Sequence, residues 1–105
     1  MSKSAALGKT LFGTKCASCH FIFGDGPGLA NFEERGPWAD RNKLYEWIKN
    51  PEQFMKKDNY TKNLKEVYGS VMISFPDIRN EEVDAIIDYI NYVSRFRSDP
   101  TVIVD

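Results

Sequence analysis

Apolar residues recur at helical spacing in three parts of this chain. Between Lys3 and Cys16, Leu7, Leu11 and Phe12 mark one side of a short predicted helix. Asp40 is placed to cap a second helix, in which Leu44, Trp47 and Ile48 form a stripe that Asn50-Pro51 interrupts. A third turn of helix is read over Glu52 to Lys57, while Asp58 to Ser70 shows only weak periodicity. The clearest pattern is the last. Asn80 is read as an N-cap, Glu81 and Glu82 suit the positive end of a helix dipole, and Val83, Ile86, Ile87, Ile90 and Val93 share a face as far as about Phe96. Gly24-Asp25-Gly26-Pro27-Gly28 and Gly36-Pro37 read as loop and turn. No strand-type alternation appears, so the fold class is all-α.

Composition leaves room for one domain. The 105 residues are 42% apolar and 28% charged, within the ordinary globular range. A single domain over residues 1–105 is expected, with its core between about 5 and 96. The longest apolar run is too short to cross a bilayer, so no transmembrane segment is expected. The N-terminus lacks the pattern of a secretory signal, which fits a processed or excised form if the protein is exported.

With 14 basic and 15 acidic residues the net charge is −1, which gives no overall attraction to nucleic acid or anionic lipid. The charges are nevertheless segregated. Arg41 to Lys65 carries seven basic and three acidic residues, whereas Glu66 to Asp105 carries three basic and eight acidic. Such a dipole can orient a molecule towards a partner, or can be no more than two solvated faces.

The chemistry is concentrated in five residues. The only two cysteines and the only histidine stand together as Cys16-Ala17-Ser18-Cys19-His20. A structural zinc site needs four ligands, and these three cannot close on one ion at this spacing. A thioredoxin-like dithiol needs a preceding strand. Covalent haem attachment meets neither objection: two thiols one turn apart add to the haem vinyl groups, and the adjacent imidazole supplies the proximal nitrogen. Since His20 is then used, the sixth position falls to a methionine sulfur, an amine, or an open site. Met72 lies in the helix-free stretch Gly69 to Pro76 and is the favoured ligand. Met55, one turn after Pro51, is the other internal methionine.

These residues resemble a class I cytochrome c of bacterial type. Gly8-x-x-Leu11-Phe12-x-x-x-Cys16-x-x-Cys19-His20 is similar to that family's first helix running into its haem motif. Gly26-Pro27-Gly28-Leu29 resembles its proline loop, which implies that the Pro27 carbonyl accepts the His20 N–H. Arg35 follows Pro27 by eight residues, as does the family arginine that contacts a haem propionate. Leu44 to Pro51 resembles the helix on the distal side of the haem, with Trp47 at a commonly aromatic position. There its indole approaches the Met72 sulfur or a propionate, or serves only the core. Met72, Phe75-Pro76 and Asn80 to Val83 resemble the axial-methionine loop and final helix. The family fold has three to five helices around one haem c, and its terminal helices cross. Here that places Gly8 and Phe12 against Ile86 and Tyr89. One departure stands out: Pro51 and Met72 lie 21 residues apart, so Lys56 to Ser70 is an extra excursion.

The resemblance implies electron transfer rather than catalysis. A thioether and an imidazole give a six-coordinate iron closed to substrate, with a potential raised by methionine. A dry pocket is expected from Phe12, Phe21, Leu29, Leu44, Ile48, Phe75 and Ile86. Lys15 and the basic stretch are the expected docking surface for an acidic partner. A quinol-oxidising complex as donor, a terminal oxidase as acceptor, a monomeric state and a periplasmic or equivalent space complete the expectation. Two alternatives stay open: a domain belonging to a larger oxidase or dehydrogenase subunit, and a haem sensor or peroxidase with an open sixth site.

Overall fold

Ser2 begins the first helix by geometry and chemistry together. Its backbone is extended, and its side chain accepts the Ala5 N–H at 3.0 Å, satisfying one of the four amides that a helix N-terminus leaves without partners. The computed structural model describes residues 1–16, 29–69 and 72–97. Among these are five α-helices and one short 3-10 helix, with no strand. They fall into two units, Met1–Asn31 with Arg79–Asp105, and Phe32–Ile78.

The first unit contains α1 (Lys3–Lys15) and α5 (Asn80–Arg97). On α1 the buried residues are Ala5, Gly8 and Phe12, which recur at helical spacing and form the face that meets α5, whereas Leu7 of the predicted stripe is exposed and Leu11 only half-buried. From α5, Val83, Ala85, Ile86, Ile87 and Ile90 are buried. Each large aliphatic among them contributes roughly 1.5–3 kcal/mol by leaving water. The predicted crossing residues meet. Gly8 lies against the Ala85 carbonyl so closely that a Cβ would fall on it. Phe12 and Tyr89 pack with ring centroids 5.8 Å apart at 52°. The Ser4 hydroxyl donates to the Asp88 carboxylate at the edge of the same contact.

The start of α5 differs from expectation in one respect. Asn80 is the first helical residue rather than the cap. The residue before it, Arg79, donates its backbone N–H to the Glu82 carboxylate at 3.0 Å, and its guanidinium Nε lies 3.4 Å from the same oxygen. Glu82 thus supplies one half of a capping box, and no acceptor on Asn80 is needed.

The second unit begins with the 3-10 turn Phe32–Glu34, followed by α2 (Arg41–Lys49), α3 (Pro51–Met55) and α4 (Asn59–Tyr68). Asp40 caps α2 as predicted, accepting the Asn42 N–H at 3.0 Å. Asn50, at φ −153° and ψ 82°, leaves helical geometry because Pro51 follows it. Its side chain then caps α3 through the Gln53 N–H at 3.2 Å. Pro51 sits in the first turn of α3, where its missing N–H costs nothing.

The excursion of weak periodicity is itself a helix. Asp58 accepts the Thr61 N–H at 2.8 Å, while Gly69, at φ +78°, ends α4 by donating to the Lys65 carbonyl at 2.8 Å. The caps mark the ends of α4; between them Tyr60, Leu64, Val67 and Tyr68 recur at helical spacing, and the most completely covered position is Thr61, which is polar. Its hydroxyl is satisfied by the Asp58 carbonyl at 3.2 Å. Trp38, 6% exposed, is the hub of this unit. Its ring lies 5.9 Å from Trp47, 5.8 Å from Phe54 and 6.0 Å from Tyr60, centroid to centroid. Gly36 passes directly under the Tyr60 ring with φ +55°, a place and a backbone geometry that exclude a side chain.

Candidate haem-binding site

Cys16 follows the last turn of α1 directly, and its backbone N–H donates to the Phe12 carbonyl at 2.9 Å. The helix therefore delivers the first sulfur of the motif from a fixed end, on the same turn as a core aromatic. The side chain is half-buried. Burial pushes the thiol up to about 11, and the Lys15 ammonium beside it pulls only partly the other way. Burial here favours the neutral sulfur over the thiolate. That setting suits a thioether, which carries no charge to desolvate, and disfavours a thiolate metal ligand. Among the described residues no group of three or more His, Cys, Asp or Glu is arranged to hold a metal ion. Cys19, His20 and Pro27, together with Phe21 of the expected pocket, lie outside the described residues.

Met72 belongs to the second unit and is half-buried in a stretch without helix. Three residues later, the Phe75 N–H donates to the Ile48 carbonyl at 3.0 Å, tying this stretch to the end of α2. Met55, the alternative sulfur, ends α3 and is also half-buried. Trp47, one residue before Ile48, is half-buried with its ring 6.1 Å from Phe54 and 5.9 Å from Trp38. The structure therefore joins Trp47 to an aromatic core and places it beside the residue to which the methionine stretch is tied. Arg35 stands exposed in the turn after the 3-10 helix, its N–H donating to the Phe32 carbonyl at 3.0 Å.

Of the expected pocket residues, Phe12, Leu44 and Ile86 are buried, and Leu29, Ile48 and Phe75 are half-buried. Trp38 is the residue that pattern reading passed over. It sits outside any periodic stripe, between a turn and a helix cap, and its bulk was the one available signal.

The chain matches the family Cytochrome c over residues 5–94. A helical fold whose first helix packs on its last and ends at a Cys-x-x-Cys-His motif is that of the class I monohaem members, and the chain belongs to the cytochrome c family. Membership implies a covalently bound haem c and a haem-based electron carrier. Cytochrome c from Rhodothermus marinus is a similar solved structure, 27% identical, with a TM-score of 0.71, covering 88% of this chain and 78% of that one. One engineered form of that cytochrome, in a structure without and a structure with a bound carbene intermediate, matches at the same identity and coverage with TM-scores of 0.68 and 0.66. No curated protein matches the chain.

Proposed function

We propose that this protein is a one-electron carrier of a respiratory chain, holding one haem c through Cys16 and Cys19 with His20 and Met72 as axial ligands. The observation that carries the reading is the placement of Cys16. It is a half-buried sulfur capping the end of α1, and it opens a Cys-x-x-Cys-His motif in a chain of this family. When bound, the haem supplies a one-electron ferric/ferrous couple. The chain's own residues do the rest. Cys16 and Cys19 fix the group, and His20, oriented by the Pro27 carbonyl, gives the proximal nitrogen. Met72 fills the remaining position and keeps water and substrates from the metal. Arg35 meets a propionate, and Trp47 stiffens the wall beside the methionine stretch.

Docking falls to the exposed lysines of the second unit, Lys43, Lys56, Lys62 and Lys65. Two other cations there are engaged within the chain: Lys57 pairs with Glu46 and Arg41 approaches Glu33 at 3.8 Å. A quinol-oxidising donor and a terminal oxidase acceptor, with acidic faces, are the partners this charge fits. An extracytoplasmic space, the periplasm in a bacterium, is the compartment.

The deciding experiment is the absorption spectrum of the holoprotein in both redox states. A six-coordinate haem c spectrum with the weak far-red sulfur-to-iron band is expected in the oxidised form. Met72→Ala is expected to abolish that band and Met55→Ala to keep it. The reverse pair of results would reassign the sixth ligand. A five-coordinate spectrum with rapid carbon monoxide binding would favour the sensor or peroxidase class.

A further inference from the structure

Among bonds between described residues, every backbone hydrogen bond outside the helices joins residues no more than four apart, save one. That one runs from the Phe75 N–H to the Ile48 carbonyl at 3.0 Å, across 27 residues of sequence. We propose that this bond is a clamp that holds Met72 in its ligating position, and that the helix break at Asn50-Pro51 supplies the clamp's acceptor. The inference rests on the reading of Met72 as the sixth ligand.

The acceptor has a specific origin. In an unbroken helix the Ile48 carbonyl would receive the N–H of Glu52. Asn50 leaves helical geometry because Pro51 follows it, and the helix restarts at Pro51 with a fresh N-terminus. Ile48 is thereby left with a carbonyl facing outside the helical ladder. Ile48 is a half-buried residue, where a carbonyl without a partner is costly, and the Phe75 amide satisfies it. The same proline that ends α2 therefore creates the anchorage for a segment 27 residues away.

The donor is equally well placed. Only Ile73 and Ser74 separate Met72 from Phe75, and both are exposed. Nothing in their burial holds them. The chain turns on directly after the clamp, with the Ile78 N–H donating to the Phe75 carbonyl at 3.2 Å. Fixing Phe75 restricts the methionine to a few residues of tether, so part of the entropy of ordering it is met before the iron is bound. Without the clamp, Met72 leaves the metal more often, and a competing ligand binds in proportion to that released fraction.

The test replaces the Phe75 amide by an ester, with phenyllactate incorporated at position 75, which removes the N–H and keeps the ring. The oxidised holoprotein is titrated with imidazole, following the loss of the far-red band and the shift of the Soret band. An ester introduced at Ser74 is the control for the backbone change. The clamp predicts that the Phe75 ester binds imidazole about tenfold more tightly than the Ser74 ester, the ratio equivalent to one net hydrogen bond of about 1.4 kcal/mol. Met72→Ala is expected to bind imidazole more tightly than either. Equal affinity for the two esters, with Met72→Ala still raised, overturns the clamp and leaves the ligand reading standing. An unchanged affinity in Met72→Ala overturns the ligand reading and the clamp with it.

Discussion

Replacing Gly8 by alanine should destabilise the protein, whereas the same replacement five residues along the same helix should stabilise it. Alanine is the better helix former by about 0.8–1 kcal/mol, and that gain applies at both positions. At Gly13 nothing lies within 4 Å of the new methyl group, so the gain stands alone. At Gly8 the methyl group falls on the Ala85 carbonyl and comes within 3.0 Å of the Ile86 nitrogen. These are backbone atoms of a helix and cannot swing aside, so α1 and α5 must separate. Overpacking of this kind costs about 1–3 kcal/mol, and a clash with backbone belongs at or above the upper end. Separation also loosens the Phe12 and Tyr89 rings that close the same contact. The net expectation is about 2 kcal/mol of lost stability for Gly8→Ala, roughly a 10 °C fall in Tm for a chain of this size, and a rise of a few degrees for Gly13→Ala. The assay is thermal and urea unfolding of the holoprotein by far-UV circular dichroism. Equal shifts of the same sign in the two variants would refute the assignment of Gly8 as the contact point of the terminal helices.

Asp58→Ala removes the carboxylate that receives the Thr61 N–H, and is expected to weaken α4 by about 1 kcal/mol. Faster hydrogen exchange confined to the first turn of α4 would show it. Glu82 is held below the ordinary carboxylate value by the Arg79 backbone N–H, with its guanidinium adding to the effect. Its contribution to stability is therefore fully present above the unfolded value and is lost as pH falls through the lower folded value. A Glu82→Gln variant should unfold at lower temperature than the parent at neutral pH, and the gap should close in acid; a gap independent of pH would remove the charge from the explanation. For docking, the rate of electron exchange with an acidic redox protein should fall as salt rises. Lys62→Glu with Lys65→Glu should flatten that dependence, and an unaltered salt profile would move the docking face elsewhere on the molecule.

Much of this molecule was readable from local pattern. The face of α5 could be taken from Val83, Ile86, Ile87 and Ile90 because a helix repeats its environment every three to four residues. The Asp40 cap and the Asn50-Pro51 break are likewise local, since each acts on amides within three residues of itself. Cys16-x-x-Cys19-His20 carries its chemistry in its spacing alone, which is why a haem could be inferred before any fold was known. The contact of Gly8 and Phe12 with the last helix came from resemblance rather than periodicity, and the structure places it as implied.

Other features belong to the folded chain alone. The burial of Thr61 on the inner side of α4 is one, since a polar residue is tolerated there only because the Asp58 carbonyl satisfies its hydroxyl. Trp38 gathers rings from α2, α3 and α4, which follow no single helical period along the sequence. The bond from Phe75 to Ile48 joins two backbone groups, which every residue but proline carries alike. Side-chain identity announces helices, caps and cofactor chemistry. Which distant amide reaches which vacated carbonyl is settled only when the chain has closed on itself.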